Sequence, residues 1–419
     1  MNKHATAGES VHASRYDVLI VGAGHAGGRA ALGLRSLGFV GSIGLIGDEP
    51  NAPYQRPPLS KGFLTGDGDA SSCMLAPIDE WARLGIELRL GVRAANLDRL
   101  AHQLLLEDGR SIGYGRLVLA TGLRARPLQL PGTLRIERVL RTLDDARVLR
   151  SELVAGRHLV IVGGGLIGLE LASSAIELGL RVSVIEAGER LLPRWLPAEC
   201  SGWLASWHRS RGVDLRFTRQ VRQCDGHTLH LDDGAKLDAD TIVSAIGCAP
   251  NVELAAAAGL GVDDGILVDA SLRTTDPSIY AIGDVARTLQ AGANLSRTES
   301  WRNAEVQARD VGAVLCGQNP EPAKLPWFWT DQCGRNIQVT GWPCEGRTIE
   351  VRGDPEHGPS LVWCLDGDIV RGVIGVDCGG DVRRAQRLIT TGERVGLHGL
   401  FGPRRGAEPR SVLAKGSSV

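Results

Sequence analysis

One βαβ-type pattern occurs twice in this chain, and no other feature narrows the possible folds as far. The segment YDVLIVGAGHAGGRAALGLRSLGFVGSIGLIGDE at 16–49 resembles RHLVIVGGGLIGLELASSAIELGLRVSVIEA at 157–187. Gly22, Gly24 and Gly27 of the first copy align with Gly163, Gly165 and Gly168 of the second. In each copy an apolar run, 18–21 or 159–162, reads as a buried parallel strand, because both faces of such a strand must meet covering helices. Glycines follow at once, then a helix-length stretch that ends near a glycine, then a second strand at 43–46 or 182–185. Parallel neighbours require a crossover, so the repeat predicts an α/β, doubly wound architecture with two Rossmann-like dinucleotide-binding domains.

The G-x-G-x-x-G spacing has a mechanical meaning in this context. The first glycine permits the tight turn, the second lets a pyrophosphate reach the backbone, and the third lets helix pack on strand. The helix start then turns its free N–H groups and positive dipole end toward the phosphates. Past the second loop lies Glu186, at the distance where an acid accepts hydrogen bonds from both ribose hydroxyls. A carboxylate there repels a 2′-phosphate and favours NADH over NADPH, a preference that nearby Arg190 moderates. In the first copy the matching acid is Asp48 or Glu49. Ile167, inside the second loop, and Gly247, closing the strand-like TIVSAIG at 241–247, complete the candidate nucleotide contacts. His25 reads as a tolerated variable position in the first loop with no ligand partner.

Two dinucleotides in one chain suggest a flavin and a nicotinamide, between which a hydride passes. In TTDPSIYAIGDVA, Asp284 follows a strand and is expected to precede a helix, where its carboxylate can hold ribityl hydroxyls of a flavin.

Composition removes several other classes. There are 47 basic and 48 acidic residues, a net charge of -1, which argues against a general nucleic-acid or membrane-surface binder. The nine cysteines show no CxxC, zinc or iron–sulfur spacing, and scattered thiols fit a reducing compartment. The first 15 residues lack the apolar core of a signal peptide, and no run of about 18 apolar residues occurs. A cytoplasmic protein is expected. From about 323 onward the texture changes to antiparallel strands and hairpins, predicting a C-terminal α+β domain. The polar tail after 402, with Arg404, Arg405, Arg410 and Lys415, is expected to fray.

The motifs VGAGHAG, GDEPNAPYQRPPLSK, RLVLATG, LRTLDDA, VGGGLIGLELA, VIEAGERLLPR, SAIGCAPNVELAAAAGL, DDGILVD, TTDPSIYAIGDVA and PWFWTDQ run in order through 15–335. In this they resemble the FAD-dependent, NADH-oxidising ferredoxin reductases of bacterial cytochrome P450 and ring-hydroxylating dioxygenase systems; beyond 335 the match weakens. The resemblance implies a glutathione-reductase-like fold: an FAD domain from 15–118 and 247–322, an NADH domain at 119–246, and a C-terminal domain at 323–419. It places Ala26, Asp48, Lys61, Val92, Arg141, Asp284 and Trp301 at FAD-contacting positions. It also sets Lys61, at the end of PYQRPPLSK, beside the reactive edge of the flavin and paired with Glu170.

Physical logic supports that pairing. Glu170 lies one helical turn past the second glycine loop, and a buried lysine keeps its proton only beside a carboxylate. Prolines 53, 57 and 58 pre-set the backbone that holds Lys61. The bland alternative is an exposed helix starting at Lys61 with Ser60 as its N-cap. Trp329 is implied near the nicotinamide side of the flavin, although Trp327 and Trp329 alternate as core residues on a strand would.

The function so implied is electron transfer from NADH through FAD to a separate two-iron, two-sulfur ferredoxin, since the chain has no cluster ligands of its own. Such acceptors are commonly acidic. Rubredoxin reductase is the nearest alternative, followed by an NADH-dependent sensing or binding flavoprotein without a ferredoxin partner. A disulfide reductase, NADH oxidase or peroxidase needs a redox cysteine by the flavin, and 48–64 holds none. The sequence leaves the oligomeric state open.

Overall fold

The computed structural model describes residues 15–133, 137–288, 297–321, 325–394 and 410–413. The strand Arg15–Val21 lies inside a seven-stranded sheet, flanked in parallel by Ile43–Ile46 and Ser111–Leu119. Its register sets Leu19 against Gly44 on one side and Leu117 on the other. Leu19, Ile20, Leu117 and Val118 are fully buried, as the unbroken apolar runs require of a sheet covered on both faces. Ile279–Ala281, distant in sequence, joins the far side of Ser111–Leu119 in parallel. One sheet is therefore built from two separated stretches of chain.

The second copy nucleates a five-stranded, all-parallel sheet around His158–Val162, between Arg181–Glu186 and Thr241–Ser244. Each repeat helix, His25–Ser36 and Leu166–Glu177, is followed by a glycine in the left-handed region, Gly38 at φ +81° and Gly179 at φ +80°. That terminus is the one a glycine past a helix end predicts.

The C-terminal part is a six-stranded antiparallel sheet beginning with the hairpin Trp327–Gln332 and Arg335–Gly341. The helix Gly379–Thr391 packs on it, burying Val382 and Ala385. Trp327–Gln332 lays Phe328, Thr330 and Gln332 on a buried face, while Trp327, Trp329 and Asp331 are only half-buried on the other. Trp329 thus lies on the more open face, whereas Trp327 on that same face packs against the cluster that includes Leu361, Trp363 and Val382.

Two expectations need correction. Asp284 is not followed by a helix: Gly283–Val285 is a single 3₁₀ turn that leads into the strand Ala286–Thr288, which pairs with Ile266–Val268. The helix comes later, at Trp301–Leu315, capped by the Ser300 hydroxyl on the Asn303 N–H. A short tertiary strand pairing overrides what local sequence suggests there. The tail is not frayed throughout either, since Arg410–Leu413 pairs with Thr348–Gly353. Arg404, Arg405 and Lys415 lie outside the described residues, as do residues 1–14.

Candidate active site

Both glycine loops open into one cavity of about 900 Å³. Gly22 (φ +115°) and Gly163 (φ +112°) make the turns, and a Cβ on either would sit 2.1 Å from the Ala120 carbonyl oxygen or 2.4 Å from that of Ala245. Gly24 and Gly165 are the helix N-caps, and neither helix start receives a side-chain capping bond. Nothing lies nearer than 3.8 Å to a Cβ built on Gly24, or 3.9 Å on Gly165, so each loop leaves open space over unsatisfied N–H groups. Side chains cap the helix starts at Thr142 and Ser300, but not those at Pro197 and Cys378. What sets the two loops apart is that both uncapped starts open into the same cavity, an arrangement that suits an anionic ligand. Gly27 and Gly168 do not line the cavity; a Cβ there would meet the Gly22 or Gly163 carbonyl oxygen at 2.0 or 2.2 Å, so they serve helix–strand contact.

Glu186, at the end of its strand, accepts from the N–H groups of Gly164 (2.7 Å) and Gly188 (2.6 Å), one bond per oxygen. A carboxylate has about four lone-pair sites, so both oxygens keep capacity for ribose hydroxyls. Arg190 does not moderate this site. Its guanidinium donates to the Leu196 and Pro193 carbonyls and to Ser201 Oγ, which turns it away from a 2′-phosphate position. In the first copy Glu49 is committed to the Tyr54 hydroxyl (2.5 Å) and Arg56 (2.8 Å). Exposed Asp48, also on the cavity wall, is the acid left open.

The proline-rich run forms a 3₁₀ turn, Pro57–Ser60, which delivers Lys61 inward. Lys61 Nζ stands 3.2 Å from Glu170 Oε1 and 2.9 Å from Asp331 Oδ2, with side-chain exposures of 18% for Lys61 and 6% for Glu170. Ser60 caps no helix here. Its hydroxyl donates to Glu170 Oε2 (2.5 Å), and its carbonyl accepts from Ser174 Oγ (2.7 Å). Thr330 donates to Glu170 Oε1 (2.6 Å). Burial pushes the Glu170 carboxyl above its ordinary range, opposed first by the Lys61 charge and then by the two hydroxyls.

Around the pair, Trp329 lies 5.3 Å from Lys61 Nζ and edge-on to Trp301 at 5.5 Å, and Trp327 stacks on its far side at 5.4 Å. Arg141 pairs with Asp284 at 3.2 Å, while its carbonyl accepts from Arg56. Ala26, Ile167 and Gly247 line the same cavity. Val92 does not; it is half-buried beside the first sheet, its N–H bonded to Gly47 O at 2.8 Å. His25 has a partner the sequence did not suggest, Glu305 at 2.8 Å, which also holds Arg29.

Asp331, Thr330, Ser60, Tyr54 and Arg56 are the site residues that sequence reasoning missed. Ser60 and Arg56 sit inside the proline run already singled out, and Thr330 and Asp331 inside PWFWTDQ. What was missing was the meeting of those two stretches across 270 residues.

Comparison with known proteins matches this arrangement. A family model described as pyridine nucleotide-disulphide oxidoreductase covers residues 16–308, and one described as reductase C-terminal covers 327–405. Putidaredoxin reductase of Pseudomonas putida is 39% identical over 386 residues, spanning 89% of this chain and 92% of that protein. The anthranilate 1,2-dioxygenase system ferredoxin–NAD(+) reductase component of Burkholderia cepacia is 41% identical over 385 residues, 89% of this chain and 94% of its own. Among solved structures, that of the covalent putidaredoxin reductase–putidaredoxin complex superposes with a TM-score of 0.88 at 38% identity, covering 92% of this chain and 95% of that one. The chain therefore belongs to the pyridine nucleotide-disulphide oxidoreductase family and carries the reductase-type C-terminal domain.

Proposed function

We propose that this protein is an FAD-dependent reductase that takes a hydride from NADH and passes electrons to a separate two-iron, two-sulfur ferredoxin serving a cytochrome P450 or ring-hydroxylating oxygenase. The observation that carries the reading is the Lys61–Glu170 pair, 3.2 Å apart, Lys61 after the first glycine-loop unit and Glu170 on the helix of the second, in the cavity both glycine loops share. The relatives matched along nearly the whole chain are reductases of such systems. We read 15–118 with 247–322 as the FAD domain, 119–246 as the NADH domain and 323–419 as the domain that covers the flavin.

FAD, when bound, accepts the electron pair and releases it one electron at a time. The chain's own residues bind and orient. The helix starting after Gly24 receives the FAD pyrophosphate, Asp48 the adenosine ribose, and Asp284, with Arg141 beside it, the ribityl side. The helix starting after Gly165 and Glu186 do the same for NADH. Lys61 is fixed in place by Glu170 and Asp331 and would present its amino group to the flavin edge. Trp329 and Trp301 keep water from that edge.

A disulfide reductase would need a redox cysteine pair beside the flavin, and Cys248 is the single cysteine among the described residues on the cavity wall. Among the described residues no helix is long and apolar enough to cross a membrane. We infer a cytoplasmic location, which cell fractionation tests.

The decisive experiment is anaerobic mixing of the purified yellow protein with NADH or NADPH, followed by a two-iron, two-sulfur ferredoxin or a rubredoxin. Rapid bleaching by NADH and onward transfer to ferredoxin are expected. Bleaching by NADH with no reoxidation of the flavin by ferredoxin would leave a reductase of another acceptor.

A further inference from the structure

A buried chain of side chains runs from the site to a histidine that the proposed chemistry does not use. Glu170 Oε1 accepts from Thr330 Oγ1 (2.6 Å), Thr330 Oγ1 accepts from Gln332 Nε2 (2.9 Å), and Gln332 Oε1 meets His208 Nε2 at 3.0 Å. Thr330 and Gln332 are each 1% exposed and His208 is 0% exposed. The chain crosses three parts of the fold: Glu170 on the helix after the second loop, Thr330 and Gln332 on the C-terminal strand Trp327–Gln332, and His208 on the helix Ala198–Ser210.

The direction of every bond follows from its acid end. An ionised carboxylate only accepts, so Thr330 must give its single proton to Glu170. The Thr330 oxygen then accepts, and only the NH₂ side of the Gln332 amide can supply that bond. The Gln332 carbonyl is thereby turned to His208, whose Nε2 must carry the hydrogen. Nδ1 of His208 has no partner among the described residues. A second proton would place an unmatched N–H in a buried site, at the cost of its lost hydration. Burial accordingly holds His208 below its ordinary value, with the Arg211 charge adding to the effect and Gln332 opposing it.

The geometry points to Gln332 and His208 as positioning residues for Glu170. Neutral His208 locks the Gln332 amide, Gln332 locks the Thr330 hydroxyl as a donor, and that donor keeps Glu170 ionised beside Lys61. The charged and titratable groups facing the chain are Lys61, with Asp331 behind it, at one end and Arg211 at the other. Oε2 differs from Oε1, because its partner Ser60 can either donate or accept. Any proton that reaches Glu170 is thus directed to Oε2, leaving Oε1 turned to Lys61 and Thr330. The idea rests on Lys61 and Glu170 being the pair beside the flavin, yet its test follows protonation in the resting protein and needs no turnover.

The first measurement uses the full-length wild type with ¹⁵N-labelled histidine. One histidine is expected to hold the Nε2–H tautomer and to stay neutral as pH falls through the ordinary value of about 6.5. An Nδ1–H tautomer, or protonation of all histidines in that range, overturns the proposal without any variant having to fold. The second measurement compares wild type with the double variant His208→Leu/Gln332→Leu, which removes both partners together and leaves neither unmatched. The infrared carboxylic-acid band of Glu170, assigned by its loss in Glu170→Gln, is followed against pH. In the double variant the band is expected to appear about one pH unit higher, a tenfold gain in proton affinity from a weakened donor. A titration identical to wild type would mean that His208 and Gln332 only fill space. Flavin reduction in Lys61→Met reports on the charge pair separately, so failure of one reading is distinguishable from failure of the other.

Discussion

Lys61 is constrained from three directions: a 3₁₀ turn behind it, Glu170 at 3.2 Å and Asp331 at 2.9 Å. If its charge orients the flavin edge, Lys61→Met slows flavin reduction at saturating NADH by about tenfold or more, the equivalent of one charge-assisted hydrogen bond, as rapid mixing would measure. The same variant changes stability in a pH-dependent way. The Glu170 carboxyl is already raised by burial, so its contribution is complete below the ordinary value of 4.5 and is lost as pH rises through the folded-state value. Removing Lys61 takes away the strongest downward influence, so melting temperature should fall most on the alkaline side and least in acid. An equal loss at all pH values would contradict that linkage. Glu186 governs a different choice. Arg190 is tied to the Leu196 and Pro193 carbonyls, and of the other arginines on the cavity wall near Glu186, Arg219 is paired with Asp233. Glu186→Gln is expected to lower the NADH-over-NADPH preference in kcat/KM about tenfold by removing the repelling charge.

At the scale of elements, the glycines of one loop separate folding from binding. Gly24→Ala adds a methyl group with 3.8 Å of clearance, whereas Gly27→Ala drives one to 2.0 Å from the Gly22 carbonyl oxygen. Gly24→Ala should therefore yield a folded protein that loses flavin on dilution, read by released flavin fluorescence. Gly27→Ala should reduce soluble yield. Identical behaviour of the two would mean that the loop does not cradle a phosphate. The paired strand–glycine–helix units were legible in the sequence because each is specified within about thirty residues by a local period and local turns. The segment after Asp284 was not. Whether Ala286–Thr288 coils or extends is decided by Ile266–Val268 alongside it, and no local pattern encodes that neighbour.

Across the whole molecule, the site is a junction: Lys61 follows the first glycine-loop unit, Glu170 lies on the helix of the second, and Thr330 and Asp331 come from the C-terminal sheet. With a net charge of only -1, long-range attraction of an acidic ferredoxin must come from local cations such as exposed Arg302 on the cavity wall. Ferredoxin reduction should then slow steeply with added salt while flavin reduction by NADH changes little; a ferredoxin step insensitive to ionic strength would remove steering from the account. By itself the sequence determined the two nucleotide-binding units, the spacing of their glycines and acids, and the stiff run ending in Lys61, because short-range sterics and periodicity dictate all of these. Only the tertiary structure decided that Arg190 faces away, that Asp48 and not Glu49 stays open, and that Asp331 and the Thr330–Gln332–His208 chain join the site. Those choices depend on which side chains meet when distant segments pack, and burial sets the worth of each charge only after they have met.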